Sequence, residues 1–228
     1  VISIMTWLII FGSLSFWVVA DIFTKKHFRL YSLVSKIVII TTVFLIALSS
    51  ILFFFSERSN IETIGNLDLS NQIFISIFES VSGRTAGFTT IDYSAINDST
   101  TIVQTLMMFI GGATGSVAGG IKVTTLFVII VSIIALIREN PEIHVFKRHI
   151  DQETVIRSYA ILVISLSFIL LCAFLLSVTN EGFLFKDLIF DSVSAYGTVG
   201  LSSGVTPELN VIGKIVIVVT MFLGRIGP

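Results

Sequence analysis

The sequence predicts an all-α membrane protein made of repeated modules, each a spanning helix, a short re-entrant helix with its loop, and a second spanning helix. Three observations predict it. Hydrophobic residues make up 54% of the 228 residues and charged residues only 13%, about half the charge of a soluble domain. The apolar residues are gathered into blocks as long as a bilayer crossing. Two short apolar pieces are each followed by the same loop pattern, with the loop glycines 113 residues apart.

The blocks justify the spans in order. Val1–Ala20, Ile37–Phe55 and Val155–Val178 each approach the ~20 residues that a helix needs to cross the hydrocarbon core. Thr101–Ile137 is apolar for longer and contains a break, and Val211–Leu223 begins a further span. Residues 1–20 lack the flanks of a secretory signal, with no basic segment before and no small-residue cleavage site after. The chain is already apolar at Val1 and ends on Gly227-Pro228 without a polar tail, which reads as a piece of a longer protein.

Basic residues orient the spans. Lys25, Lys26, Arg29 and Lys36 fall in one connecting segment, and Arg138, Lys147, Arg148 and Arg157 in another, whereas the segments 56–72 and 182–187 hold only Arg58 and Lys186. Positive charge marks the cytoplasmic side, so the first two segments face inward. The chain then leaves Phe55 outside and enters Thr101 from outside, and the same holds between Val178 and Val211. The apolar pieces between them, Ile73–Val81 and Leu184–Val193, are too short to span and read as re-entrant helices. A net charge of −1 gives no case for nucleic acid. The single Cys172 cannot form an internal disulfide.

The repeat is explicit. Ile77-Phe78-Glu79-Ser80-Val81-Ser82-Gly83-Arg84 leads into Thr85-Ala86-Gly87-Phe88-Thr89, and Ile189-Phe190-Asp191-Ser192-Val193-Ser194-Ala195-Tyr196-Gly197 leads into Thr198-Val199-Gly200-Leu201-Ser202. A cation that sheds its water needs oxygen ligands. Backbone carbonyls supply them if they all point one way, and glycine permits the angles. The short helix before each loop aims its partially negative C-terminal end at the same place. This is the carbonyl-ring logic of potassium filters. It makes the carbonyls of Thr85, Ala86, Gly87, Thr198, Val199 and Gly200 the candidate K+ ligands. A lone Thr-x-Gly is ordinarily just a loop; two of them behind re-entrant helices imply a filter.

Gly111-Gly112-Ala113-Thr114-Gly115-Ser116-Val117-Ala118-Gly119-Gly120 has five glycines in ten residues, each costing about 1 kcal/mol in a helix. The ten residues before it place it near the bilayer midplane, ~15 Å down. Unwound backbone at that depth sits within protein or along water, which predicts a loop in the ion path below the filter. The alternative is a helix-packing Gly-x-x-x-Gly motif, which Gly111/Gly115 and Gly115/Gly119 fit. Lys122 and Arg225 lie in inward-running segments, where a charge is costly unless it is paired or wet. Arg225 is either a barrier to cations or a snorkelling, packing residue. Arg84 is expected to brace its filter loop through Glu79 or Asp92.

These segments, with Gly224-Arg225-Ile226-Gly227-Pro228 and Val145-Phe146-Lys147-Arg148-His149-Ile150, resemble the Trk/Ktr/HKT superfamily of potassium-transporting subunits, most closely the bacterial KtrB type. The resemblance covers nearly the whole chain. It implies four modules around a pseudo-fourfold cation pore: residues 1–25 end the second, 33–137 form the third, and 153–228 form a truncated fourth. It implies that Gly87 and Gly200 are two of four filter glycines and that 111–120 is the intramembrane gating loop. It further implies a multi-pass protein of the bacterial plasma (inner) membrane, a homodimer, and a ring of cytoplasmic nucleotide-binding (RCK-type) regulatory subunits. K+ is the transported ion, no organic cofactor belongs to this chain, and sodium-dependent members of the Ktr branch make Na+ a second candidate ion. Two other readings compete with this one. A conventional tetrameric cation channel would carry one filter per chain, against the repeat seen here. An intramembrane serine hydrolase using Ser116 would need a base on a neighbouring span, whereas His27, His144 and His149 all lie in polar loops. The chain is therefore not expected to be an enzyme.

Overall fold

The computed structural model describes residues 1–139, 143–146 and 148–226; Lys147 of the second basic segment and the terminal Gly227-Pro228 lie outside them. The chain opens with α1 (Ile2–Ser13) and α2 (Phe16–Thr24). These meet at 104°, so the apolar block 1–20 is not one straight span, contrary to the sequence expectation. Ser15 is the reason. Its backbone is extended and its side chain accepts from Val18 N at 3.3 Å, which caps a new helix.

At the far end of α2, Asp21 accepts hydrogen bonds from Ser32 N (2.9 Å) and Ser35 Oγ (2.7 Å) and pairs with Lys25 at 2.6 Å. It thereby ties α2 to the start of α3 (Leu33–Glu57). The 25 residues of α3 reach ~37 Å, enough to cross the core. Its last residue, Glu57, is fully buried. It accepts from Asn60 Nδ2 (2.7 Å), Thr63 Oγ1 (2.7 Å), Asn97 N (2.9 Å) and the Thr100 hydroxyl, gathering the loops at that end.

The short apolar pieces form helices too short to span. α4 (Leu69–Ser82) has 14 residues, about 21 Å. The overlong block divides into α5 (Asp98–Phe109) and α6 (Val123–Ile137) around the glycine-rich segment. A two-stranded hairpin, β1 (His144–Val145) and β2 (Arg148–His149), follows. α7 (Gln152–Thr179) is the second helix that can cross alone. α8 (Phe185–Tyr196), the single turn α9 (Val205–Glu208) and α10 (Val211–Ile226) follow in the second module.

The two modules share one order: long helix, short helix, loop, inner helix. In the first module the inner helix is broken into α5 and α6. Packing concentrates on α8. Phe190, Val193 and Tyr196 join Met108 of α5 and Ile169 of α7 in one buried cluster, while Leu188 and Ala195 join Cys172, Leu176 and Ile217 in another. Large apolar side chains remain exposed along the outer faces of α3, α7 and α10, as a bilayer-facing surface requires.

Candidate ion path

Each short helix delivers the chain into a backbone of unusual handedness. Thr85 has φ +74° and Gly87 +71°; Thr198 has +52° and Gly200 +99°, while Ala86 and Val199 between them keep negative φ. A β-branched residue at positive φ is an outlier that costs about 1–2 kcal/mol. It recurs at the same place in both modules. Alternating the sign of φ turns successive peptide planes the same way, which a row of carbonyl ligands needs. The two loops also meet. A Cβ on Gly87 would collide with the Val199 carbonyl and lie 3.2 Å from Gly200 Cα.

Buried acids hold both loops from behind. Glu79 accepts from Thr90 N (2.7 Å), Thr90 Oγ1 (2.8 Å), Tyr93 OH (3.0 Å) and Thr89 Oγ1 (3.4 Å). Asp191, its counterpart in α8, accepts from Ser202 Oγ (2.7 Å), Ser203 N (2.9 Å), Ser203 Oγ (3.2 Å), Thr206 N (2.9 Å) and Thr206 Oγ1 (2.5 Å). A serine in the last turn of each helix touches its loop. The Ser82 hydroxyl donates to the Phe88 carbonyl, and Ser194 Oγ accepts from Gly200 N at 3.2 Å. Sequence reasoning singled out Glu79 and missed Asp191, although Ile-Phe-Glu-Ser and Ile-Phe-Asp-Ser place them in register. Since bonds to a charged acceptor are worth about 1.5–3 kcal/mol each, Glu79→Gln and Asp191→Asn are each expected to lower ion discrimination by roughly tenfold. The ratio of K+ to Na+ uptake checks this; an unchanged ratio would show that the carboxylates do not shape the loops.

The expected partners of Arg84 need correction. Its side chain is 2% exposed. Among the described residues it pairs with neither Glu79 nor Asp92; instead Nη2 donates to the Gly111 carbonyl at 3.1 Å. Glu79 is already occupied by the loop. Asp92 is used locally, accepting from Ser94 N (2.9 Å) and Ser94 Oγ (2.7 Å), which hold its carboxyl below the usual carboxylate range.

The glycine-rich segment is a loop closed at its base. Ile110 and Ile121 form a parallel bridge, with Gly111 N donating to Ile121 O (2.8 Å), Ile121 N to Phe109 O (3.1 Å) and Val123 N to Gly112 O (3.1 Å). These residues are not helical, so the Gly-x-x-x-Gly packing alternative lacks the continuous helix it requires. The glycines serve close approach instead. A Cβ on Gly111 would strike the Gly119 carbonyl, and one on Gly119 would strike the Thr198 side chain and lie 2.9 Å from Gly197 O. The loop base therefore stands directly against the second Thr-x-Gly loop. The Thr198 hydroxyl, buried there, has no hydrogen-bond partner among the described residues.

The loop tip is exposed at Thr114, Gly115 and Val117 and is held from three sides. Ala113 N donates to Ser13 O at the α1/α2 bend (3.0 Å), Arg225 donates to the Val117 carbonyl, and Lys122 Nζ donates to Ala118 O (2.5 Å). Ser116 Oγ accepts from Ala118 N at 3.3 Å, a contact within the loop. A space of about 110 Å3 lies between this tip and the first loop, lined by Ser13, Arg84, Thr85, Ala86 and Val117 among others.

The chain is similar to known proteins along its whole length. The family described as TrkH, cation transport protein, matches residues 1–228. The chain is 39% identical over 225 residues to the Ktr system potassium uptake protein B of Bacillus subtilis, covering 99% of this chain and 50% of that protein. It is 36% identical over 223 residues to the protein of the same name from Vibrio alginolyticus (97% and 49%). It is 35% identical over 231 residues to the potassium/sodium uptake protein NtpJ of Enterococcus hirae (99% and 51%). The chain thus spans about half the length of these relatives. The crystal structure of the potassium transporter TrkH from Vibrio parahaemolyticus has the same fold, with a TM-score of 0.78 at 19% identity over 98% of this chain and 49% of that one. This chain belongs to the TrkH family of cation transport proteins, a family of membrane transporters and not of enzymes.

Proposed function

We propose that this chain supplies two pore-forming modules of a potassium uptake subunit, residues 33–137 as the third and 153–228 as the fourth of a pseudo-fourfold set, with 1–25 ending the second. The carrying observation is the pair of Thr-x-Gly loops with the same φ pattern, each behind a short helix and each against the other. In this reading K+ exchanges its water for the carbonyls of Thr85, Ala86, Gly87, Thr198, Val199 and Gly200. The loop 111–120 blocks the path below them until it is displaced. The relatives named for potassium and for potassium/sodium uptake support K+ as cargo and Na+ as a second ion. The whole protein is then a multi-pass protein of the bacterial inner membrane, a homodimer, and a partner of a nucleotide-binding regulatory ring. The test is potassium uptake by the full-length protein in cells lacking other potassium systems, with and without sodium. No uptake in either condition removes the proposal, and uptake only with sodium establishes coupling.

Arg225 adds a barrier in this reading. Unit charges ~8 Å apart at an effective dielectric near 20 repel by about 2 kcal/mol, a slowing of more than tenfold. Its bond to the Val117 carbonyl also pins the loop tip. Arg225→Gln is therefore expected to raise flux per folded molecule, with Arg225→Lys keeping most of the restriction. A fall in normalised flux for Arg225→Gln would contradict the barrier.

A further inference from the structure

Breaking an inner helix leaves backbone carbonyls without their helical donors. At and just beyond the end of α5, three carbonyls are met by donors from outside the helix: Phe109 O by Ile121 N, Gly112 O by Val123 N, and Gly111 O by Arg84 Nη2. Two of these donors belong to the loop's own base. The third comes from the residue immediately before Thr85, the first left-handed residue of the opposite loop.

The second module differs at the matching position. Its α10 is described over Val211–Ile226. The residue before Thr198 is Gly197, and Tyr196 before it sends its hydroxyl to Ser165 of α7 at 2.6 Å. An arginine thus precedes Thr85, beside the glycine-rich loop, and a glycine precedes Thr198. The burial of Arg84 without a carboxylate partner among the described residues is costly, and among those residues Nε and Nη1 have no hydrogen-bond partner. Two donor nitrogens are thus available to carbonyls that the loop presents when it shifts.

Resting on the filter and gating-loop reading above, we infer that Arg84 is a positioning residue that couples the two: it fixes the base of the glycine-rich loop at Gly111 and, through its peptide link to Thr85, the geometry of the first filter loop. A residue that only braced the filter would alter ion preference alone, and one that only braced the loop would alter flux alone. Arg84 alters both.

The experiment measures passive K+ flux per folded molecule and the K+/Na+ flux ratio of the full-length protein in liposomes. Arg84→Gln is expected to raise flux and lower the ratio, each by about three- to tenfold, the range of ordinary coupling between contacting sites. A change in one quantity alone, or in neither, overturns the inference. If Arg84→Gln does not fold, Arg84→Lys decides. It keeps one point donor, so a smaller change in both quantities is expected. In a background lacking residues 114–117, its effect on flux should vanish while its effect on the ratio remains. Additive flux effects overturn the coupling. Gly200→Ser, which does not touch Arg84, separates the two levels. If it and Gly87→Ser both leave the ratio unchanged, the filter reading itself fails; if Gly200→Ser lowers the ratio while the Arg84 variants match the parent, only the coupling fails.

Discussion

Serine at Gly200 or Gly87 is expected to cut the preference for potassium over sodium by about tenfold or more, and the two sites should fail for different reasons. At Gly200 the space is open, with Gly87 Cα 3.8 Å from a modest side chain's first atom. The obstacle is the backbone: φ is +99°, where an L-residue costs about 1–2 kcal/mol. The loop should relax and displace its carbonyls while the protein still folds. At Gly87 a side chain meets both the left-handed backbone and the Val199 carbonyl of the facing loop. Gly87→Ser should therefore disturb both loops and reduce yield as well as selectivity. Relative K+ and Na+ fluxes check this, and unchanged ratios in both variants would remove the filter assignment.

Deleting residues 114–117 is expected to raise passive potassium flux by about tenfold or more with ion preference unchanged, as removal of a constriction below an intact selector should. The geometry favours a clean deletion. The loop base is closed by the Ile110–Ile121 bridge, and Gly112 already lies beside Ala118, so Ala113 can join Ala118 without moving α5 or α6. The deletion removes the exposed tip and the carbonyl that Arg225 holds. It leaves Gly111 and Gly119, which touch Arg84 and Thr198. A shortened protein that folds and conducts like the parent would show that the loop does not obstruct the path.

The spans were legible because hydropathy and length settle them. Ile37–Phe55 and Val155–Val178 lie within α3 and α7, and the short pieces Ile73–Val81 and Leu184–Val193 lie within or at the edge of α4 and α8. The break after Ile110 was legible because glycine clusters oppose a helix. The bend at Leu14-Ser15 was not, because Gly12-Ser13-Leu14-Ser15 holds one glycine and two serines inside an apolar run, a far weaker mark than five glycines in ten residues. Its signal is an N-cap serine inside a hydrophobic block.

The partner of Arg84 was misread for a general reason. Sequence shows which acids are near along the chain, but not that Glu79 is filled by Thr89, Thr90 and Tyr93, nor that a stranded carbonyl 27 residues away needs a donor. Asp191 stands in the repeat in register with Glu79, but a carboxylate alone does not show that it accepts from the loop beyond the Thr-x-Gly tripeptide.

The central claim is that these two loops bind the transported ion through their backbone. The direct measurement is anomalous diffraction from crystals of the full-length protein grown with Rb+ or Tl+ as potassium surrogates. The account predicts a peak between the loops, in contact with carbonyl oxygens from residues 85–87 and 198–200. Ordered surrogate ions elsewhere along the axis, with none at these carbonyls, would contradict it.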